Sequence, residues 1–224
     1  MTRQLRRASA FRNLEPSQLE DVARVLRVRE FGKREAIFLP SREPSQVFLL
    51  LEGCAKITRT DPLTCRELIL FIVRPGELFG LPALTTDRHA NTSAVALERS
   101  RVGCMNGDDF ERLARNSEFS AELNRLVSER LARITERLDE LVFRDVHSRL
   151  ARLLLRLAHE FPREQNGTPV IDVPLTQQDL ADLIGSTRES ANIAVNDFKR
   201  QGLIDIRRRF ILIRDPERLR ALSP

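Results

Sequence analysis

The chain has 224 residues, of which 42% are hydrophobic and 31% charged, and its formal net charge is +5. This length suits two ordinary domains with their own cores, and the basic balance suits a nucleic-acid partner without proving one. The sequence contains no run of 18 or more apolar residues and no signal-peptide pattern, which predicts a cytoplasmic protein without a membrane partner.

The first hundred residues predict a short leading helix followed by a β-rich domain. Residues from about 11 to 26 place apolar side chains at helical spacing, and Pro16 stands at the helix start. From about residue 28 to 105, short β-prone runs alternate with turn residues. The candidate strands are 36–39, 47–51, 55–58, 68–73 and 92–97. Many short strands at this spacing indicate a compact β-roll or sandwich rather than a parallel sheet.

A single long helix is predicted from about residue 120 to 142. Its apolar residues alternate spacings of four and three over about two heptads, which is the pattern of a coiled-coil seam. The seam residues are Val127, Leu131, Ile134, Leu138 and Leu141. A stripe of this kind needs a cover, and either its own domain or a second copy of the chain would supply one.

A second helix is predicted to begin at Asp145, which can cap it, and to end before Pro162. Residues 163–169 then read as a linker. We place the hinge between domains near residues 143–145. The predicted organisation is a β-roll domain with its leading helix over residues 1–118, a dimerisation helix over 119–143 and a third domain over 144–224.

Two short helices joined by a tight turn are predicted between residues 175 and 203. Thr176 is a good N-cap for the first helix, with Asp179 three residues later, and Gly185 ends it. Ser186 and Glu189 match the S-x-x-E capping box, which would start the second helix one residue later. This pattern predicts a helix-turn-helix.

The second helix, from about 187 to 201, has one apolar and one polar side. Its polar side carries residue types that suit base edges in the DNA major groove: Arg for guanine, Asn for adenine and Glu for the cytosine amine. Ile193 lies on that side, where contact with a thymine methyl group would explain it. The predicted base readers are Arg188, Glu189, Asn192, Ile193 and Asn196. The alternative is an ordinary amphipathic surface helix.

Two strand-like runs, 203–206 and 210–213, flank a turn of three arginines and predict a wing. Residues 170–173 are a further strand candidate. Residues 188–214 include seven basic and three acidic residues. This excess of positive charge favours phosphate contact over the alternative of a merely solvated loop. The predicted phosphate contacts are Thr176, Ser186, Thr187, Lys199, Arg207, Arg208 and Arg209.

The helix-turn-helix bears on what covers the seam of the long helix. A unit that reads one half-site gains affinity and specificity when it binds as a two-fold dimer. We therefore favour pairing of two copies through the seam, with a palindromic DNA operator as the partner.

The cysteines and histidines do not form a recognisable site. Cys54, Cys65 and Cys104 are far apart and lack C-x-x-C spacing, which argues against a disulfide framework or structural zinc. The sequence shows no Walker loop, H-E-x-x-H motif or pair of nucleophile and base. Neither an enzyme activity nor a cofactor or metal is predicted, and a redox-active thiol or haem ligand stays open as an alternative.

The order of these elements resembles the family of the cyclic-AMP receptor protein and the fumarate-nitrate regulator. The resemblance covers nearly the full length and depends most on three runs: 74–80 (RPGELFG), 175–181 (LTQQDLA) and 187–190 (TRES). It implies an α+β fold with a cyclic-nucleotide-binding-like β-roll (jelly roll), a long dimerisation helix and a C-terminal winged helix-turn-helix. It also implies a homodimeric transcription regulator, more often an activator, with RNA polymerase as a partner.

The recognition helix of this family typically reads S/T-R-E-x-V-x-R. Arg188 and Glu189 match its first charged pair, whereas Ile193 stands where the later arginine is common. We therefore expect an altered or relaxed half-site.

The cyclic-nucleotide-binding members carry a cassette resembling G-E-L, followed by R-S or R-T and Ala, in which the Glu bonds the ribose and the Arg pairs with the cyclic phosphate. Here Leu81 replaces the Glu and Ala90 replaces the Arg, while Pro82 removes a backbone N–H. The positions of this degenerate effector pocket are Gly80, Leu81, Pro82, Arg88, Ala90, Asn91 and Thr92.

Loss of both charged groups predicts a regulator that cyclic AMP does not control, whose small-molecule effector is unknown. A gap in the alignment would let Arg88 take the place of the missing arginine, so a cyclic-nucleotide-dependent regulator stays an alternative. A redox or haem sensor of the same architecture and a regulatory subunit of an enzyme complex are further alternatives. The cysteine pattern of the family's iron-sulfur members does not match, since the first cysteine is Cys54.

Overall fold

The computed structural model describes residues 5–6, 8–40, 46–80, 92–165, 167–207 and 210–223. The chain forms two compact units, residues 1–133 and 134–224, and the division falls inside one long helix. The predicted domain limits after residues 118 and 143 lie near the two ends of that helix, Ser117–Phe143, rather than at this division, and they stay predictions.

The first unit begins with a 3-10 turn at Ser9–Phe11 and helix α1 at Pro16–Val25. Pro16 occupies the first helical turn as predicted, where its missing N–H has no intrahelical partner to lose. Glu15 forms the N-cap, and its backbone N–H donates to the Gln18 side chain at 2.7 Å. A second helix, α2, spans Gly107–Ala114 after the last strand of this unit.

Two antiparallel sheets form the β-roll of the first unit. The described strands are β1 Arg27–Phe31, β2 Ala36–Phe38, β3 Gln46–Glu52, β4 Ala55–Thr60, β5 Glu67–Val73, β6 Leu78–Phe79, β7 Thr92–Ala96 and β8 Ser100–Asn106. The strand orders are β1-β8-β3-β6 and β2-β7-β4-β5. All five candidate strands are confirmed. Strands β1, β6 and β8 were not predicted individually, because β1 is rich in charged residues and β6 has only two residues.

Strand β3 separates two hydrophobic cores, which explains its continuous apolar run. Phe48 and Leu50 pack between the two sheets, where the Phe48 ring stacks on Phe38 and Phe79 with ring centroids 5.3 and 5.2 Å away. Val47 and Leu49 point to the opposite face and pack against the helices. A strand buried on both faces does not show the alternation of a half-exposed one.

The long helix α3 spans Ser117–Phe143, and helix α4 follows at Val146–Glu160. Asp145 caps α4 as predicted, since its carboxylate accepts a hydrogen bond from the backbone N–H of Ser148 at 2.8 Å. The helix ends before Pro162, also as predicted.

The second unit adds the strands β9 Pro162–Gln165, β10 Thr168–Ile171, β11 Ile204–Arg207 and β12 Phe210–Ile213, which form one sheet in the order β11-β12-β10-β9. Its other helices are α5 Gln177–Ile184, α6 Arg188–Arg200 and α7 Pro216–Ala221. The interpretation of 163–169 as a linker is wrong. That segment forms most of a β9-β10 hairpin, in which the Arg163 guanidinium packs 5.4 Å from the Phe210 ring centroid and pairs with Asp172 at 3.0 Å.

Candidate nucleic-acid interface

Helix α5 begins at a reciprocal capping box, as the sequence predicts. The Thr176 hydroxyl accepts from the backbone N–H of Asp179 at 3.1 Å, and the Asp179 carboxylate accepts from the backbone N–H of Thr176 at 2.9 Å. The same hydroxyl donates to that carboxylate at 2.6 Å. The role of Thr176 in phosphate contact stays a prediction, and its hydroxyl already makes two hydrogen bonds within the cap.

The turn between α5 and α6 is as short as predicted, but a different residue caps the second helix. Gly185 adopts a left-handed conformation with φ 61° and ψ 44°, which ends α5 without the steric penalty that a Cβ would bring. The expected box of Ser186 and Glu189 is wrong. Thr187 is the N-cap, and its hydroxyl accepts from the backbone N–H of Ser190 at 3.2 Å. The Ser186 hydroxyl instead donates to the Thr187 carbonyl at 3.1 Å.

Helix α6 has the two faces that its sequence predicts. The apolar side consists of Ala191, Ala194, Val195 and Phe198, which are all fully buried. Arg188, Glu189 and Asn196 are exposed, and Asn192 is half-buried. Ile193 is 65% exposed, so burial in its own domain does not explain this apolar residue.

Two features shape the polar face of α6. The Glu189 carboxylate accepts a hydrogen bond from the backbone N–H of the same residue and a second from the Thr187 hydroxyl, and these bonds hold the pKa of Glu189 below its usual value. This carboxylate is therefore charged at neutral pH. The Asn196 amide donates to the Asn192 amide oxygen at 3.3 Å, so the two amides are neighbours on the polar face. The face therefore offers a guanidinium, a carboxylate and two amides on a helix whose other side is fixed by packing.

The wing, which follows α6 along the chain, carries further positively charged side chains. Arg207 is exposed, and its Nε donates to Asp205 at 3.1 Å, while Arg214 donates to the same carboxylate at 3.2 Å. Hydrogen bonds from Arg214 and then Arg207 lower the pKa of Asp205. Lys199 is exposed on α6, whereas Arg208 and Arg209 lie outside the described residues.

The predicted seam of α3 is mainly exposed in the single chain. Leu131 is 64% and Leu138 56% exposed, and Val127 and Ile134 are also exposed, while Leu141 is half-buried. Val142 extends the exposed apolar stripe at the end of the helix, although sequence spacing favoured Leu141. A leucine stripe left open to water along a long helix is a surface that a second protein surface would cover.

The degenerate effector pocket is described only at its two ends. Gly80 has φ 83°, and a Cβ there would approach the Phe48 ring and the Gln46 carbonyl to 2.8 Å. Thr92 begins β7 and is half-buried. The remaining predicted positions, Leu81, Pro82, Arg88, Ala90 and Asn91, lie outside the described residues.

Two of the three cysteines, Cys54 and Cys104, do not have the character of reactive thiolates. Cys54 and Cys104 are buried, and that burial raises the pKa of both thiols. Cys65 is exposed. Across the described residues, no group of three or more His, Cys, Asp or Glu side chains is arranged to hold a metal ion. Nor is any described helix long and apolar enough to cross a membrane.

Four side chains make contacts between separate elements that the sequence does not predict: His147, Arg130, Arg137 and Arg149. His147 of α4 lies 3.5 Å from the Asp197 carboxylate of α6, and its ring meets Phe198 edge-on. Arg130 of α3 donates to the Leu78 carbonyl and lies over the Phe71 ring. Arg137 and Arg149 donate to carbonyls at the end of α5. The two partners of each contact are at least 35 residues apart along the chain, so no local sequence pattern could have identified them.

Comparison with known families agrees with this geometry. The profile of the Crp-like helix-turn-helix domain matches residues 148–222, and that of the cyclic nucleotide-binding domain matches residues 28–117. The chain is 32% identical, over 96% of both sequences, to a CRP-like cAMP-activated global transcriptional regulator of Mycobacterium tuberculosis.

Solved structures show the same fold. FixK2 from Bradyrhizobium japonicum superposes with a TM-score of 0.77 at 21% identity, covering 89% of this chain and 98% of the other. A transcriptional regulator of the CRP/FNR family from Thermus thermophilus superposes with a TM-score of 0.72 at 25% identity, covering 88% and 98%. The predicted fold class is confirmed, and the relatives are regulators rather than enzymes.

Proposed function

The chain belongs to the CRP/FNR family of DNA-binding transcription regulators, and we propose that it acts as a homodimer that reads the two halves of a palindromic operator. The observation that carries this proposal is the division of α6 into a buried apolar side and an exposed side with Arg188, Glu189 and Asn196. A helix held in this way can enter a major groove with its base-reading groups in fixed positions.

Within the proposed interface, Arg188 reads guanine and Glu189 reads a cytosine amine, while Asn192 and Asn196 read adenine. Ile193 contacts a thymine methyl group. Phosphates are met by the wing arginines, Lys199 and the polar groups of Ser186 and Thr187. The charged state of Glu189 supports its part, because the ionised carboxylate is an acceptor only and carries no O–H group that would oppose the N–H donor of the cytosine amine.

The dimer is proposed to form along α3 through Val127, Leu131, Ile134 and Leu138. Their exposure supports this assignment, because an apolar stripe on a long helix is stabilised when a second helix covers it. Two copies of α6 would then contact half-sites whose centres lie about one helical turn of DNA apart. Leu141 stays in the proposed seam as a partly covered end position.

DNA binding that does not require cyclic AMP is part of the proposal, whether the β-roll senses another ligand or senses none. The sequence places Leu81 and Ala90 where the family's cyclic-nucleotide binders have Glu and Arg. The competing function, a cyclic-nucleotide-dependent regulator, is favoured by the 32% identity to a relative described as cAMP-activated. Calorimetric titration of the chain with cyclic AMP separates the two, because the competing function requires saturable binding and the proposed one requires none.

Activation of transcription, with RNA polymerase as a partner, completes the proposal and rests on the family resemblance alone. Transcription in vitro from a promoter that carries the operator tests it. Increased transcript supports activation, and decreased transcript contradicts it.

Selection from a pool of randomised DNA duplexes tests the proposed DNA recognition directly. The expected result is enrichment of a palindrome whose half-site centres are about 10 base pairs apart, bound by a dimer in sedimentation. Enrichment of a single half-site would contradict the dimeric mode, and no enrichment at low salt would contradict sequence-specific binding.

A further inference from the structure

The carbonyls at the carboxyl end of α5 accept hydrogen bonds from arginine side chains of other helices. An α-helix leaves its last four carbonyls without intrahelical partners, and here these belong to residues 181–184. The Ala181 carbonyl accepts from the backbone N–H groups of Gly185 and Ser186 in the turn. The carbonyls of Asp182, Leu183 and Ile184 accept from side chains of two other helices.

Arg137 and Arg149 supply these donors. One Nη of Arg137, on α3, lies 2.5 Å from the Leu183 carbonyl and 3.3 Å from the Asp182 carbonyl. One Nη of Arg149, on α4, lies 2.7 Å from the Ile184 carbonyl. Two guanidinium groups from separate helices therefore complete the end of a third helix.

The electrostatics of this contact are favourable. The carboxyl end of a helix carries partial negative charge, and a cation placed there is attracted to it. Burial lowers the pKa of Arg137 to about 10, which still leaves the guanidinium charged at neutral pH. The Nε of Arg149 is buried without a hydrogen-bond partner among the described residues, so the side chain gives up water at that atom while its Nη bonds the helix end.

We propose that Arg137 and Arg149 form an arginine clamp that sets the position of the recognition helix α6 for base reading. The end of α5 and the start of α6 are separated only by Gly185, Ser186 and the N-cap Thr187. Arg188 and Glu189 follow at once, so a shift of the clamped helix end displaces both. Base contacts tolerate displacements of only about half an ångström. This proposal rests on the proposed DNA recognition.

The clamp also connects the end of α5, which leads directly into the turn before α6, to the helix that carries the seam. Arg137 immediately precedes Leu138, an exposed member of that stripe. Pairing of two copies through α3 would therefore hold the segment that supplies one half of the clamp. Arg137 acts as a positioning residue, since its contacts are to the protein backbone rather than to DNA.

The clamp is tested with Arg137→Gln, Arg149→Gln and Arg137→Lys in the full chain. Arg133→Gln is the matched control, because it removes the same charge from an exposed position one turn earlier on α3. Fluorescence anisotropy measures binding to the selected operator and to a scrambled duplex, and sedimentation and thermal unfolding report dimerisation and folding. Each Gln variant should lose about tenfold more affinity for the operator than for the scrambled duplex. Arg137→Lys should recover part of the loss, because it keeps the charge but not the fork of donors.

An equal loss on both duplexes, or a loss proportional to the unfolded fraction, would overturn the clamp. Amide hydrogen exchange without DNA gives a second measurement, in which Arg137→Gln should speed exchange across residues 185–191 and Arg133→Gln should not. Unchanged exchange there would also overturn it. If the unmodified chain selects no duplex, the proposed DNA recognition fails, whereas the exchange result still decides whether the clamp holds α6.

Discussion

The helix-turn-helix and the effector pocket differ in how far each keeps the residues expected of this family. In the helix-turn-helix, Arg188 and Glu189 keep the expected pair on a well-packed helix and Ile193 is the departure. In the proposed pocket, the sequence has Leu81 and Ala90 at the positions where we expect the Glu and Arg of the family's cyclic-nucleotide binders. The proposed assignments place DNA reading and effector binding on separate residues, so one can change while the other is kept.

The largest effect is expected from breaking the dimer that the DNA-binding half requires. Leu138→Asp places a charge in the proposed seam, and burying an unpaired carboxylate against a second helix is strongly unfavourable. Loss of the second half-site should lower operator affinity by at least about a hundredfold. Sedimentation should show a monomer, and Leu131→Asp should behave in the same way.

The control for this experiment is Leu63→Asp, which makes the same change at a leucine that is 92% exposed in the β4-β5 turn. It should leave both the dimer and the operator affinity intact. A Leu138→Asp protein that remains dimeric would refute the role of the seam.

The next effect, of similar size, should come from restoring the missing charges of the effector pocket. We expect the pocket to lack two charge-assisted hydrogen bonds of about 1.5 to 3 kcal/mol each, so Leu81→Glu combined with Ala90→Arg should raise the affinity for cyclic AMP about a hundredfold or more in calorimetry. A double variant with Gln at both positions controls for side-chain size. Tight binding by the unmodified chain would contradict the expected loss and would favour Arg88 as the replacement.

A smaller and more selective effect is expected on the base-reading face. Arg188→Ala should weaken operator binding by about 1 to 3 kcal/mol and relax the preference at one base pair. Repeating the duplex selection with the variant measures that preference. If every operator position weakened equally, Arg188 would be a phosphate contact and the assignment of base readers would be wrong.

The smallest effect is expected from the wing. Arg207→Ala should weaken binding evenly across sequences and lower the slope of affinity against salt by about one, since it removes one phosphate contact. Titrations of operator and scrambled duplex at several salt concentrations measure this slope. Arg24→Ala, which removes the same charge from an exposed position on α1, should leave the slope unchanged.

Local patterns explain why much of the fold could be predicted from the sequence. Thr176, Asp179 and Gly185 specify the ends of α5 through contacts within four residues, and Asp145 does the same for α4. In the β9-β10 hairpin, the sequence predicts only the part of β10 that includes Val170 and Ile171, because the polar residues of β9 lack the alternation of a strand. The hairpin is held by contacts outside the segment, such as that between Arg163 and the Phe210 ring.

The same distinction between local patterns and distant contacts applies to the candidate site. The exposed and buried faces of α6 follow from helical spacing alone and are confirmed. The capping residue was assigned to Ser186 rather than Thr187, because both residue types cap helices and the sequence offers two adjacent candidates. The clamp of Arg137 and Arg149 could not be predicted, since its carbonyl acceptors lie 35 to 46 residues away along the chain and backbone carbonyls carry no sequence signal.

A single titration decides whether DNA reading is separate from cyclic-nucleotide control. Nucleotide-free protein is added to the selected operator and to a scrambled duplex in fluorescence anisotropy, with and without saturating cyclic AMP. We predict preferential operator binding by the nucleotide-free protein, with the same Kd after cyclic AMP is added. Preferential binding that appears only when cyclic AMP is present would contradict the separation.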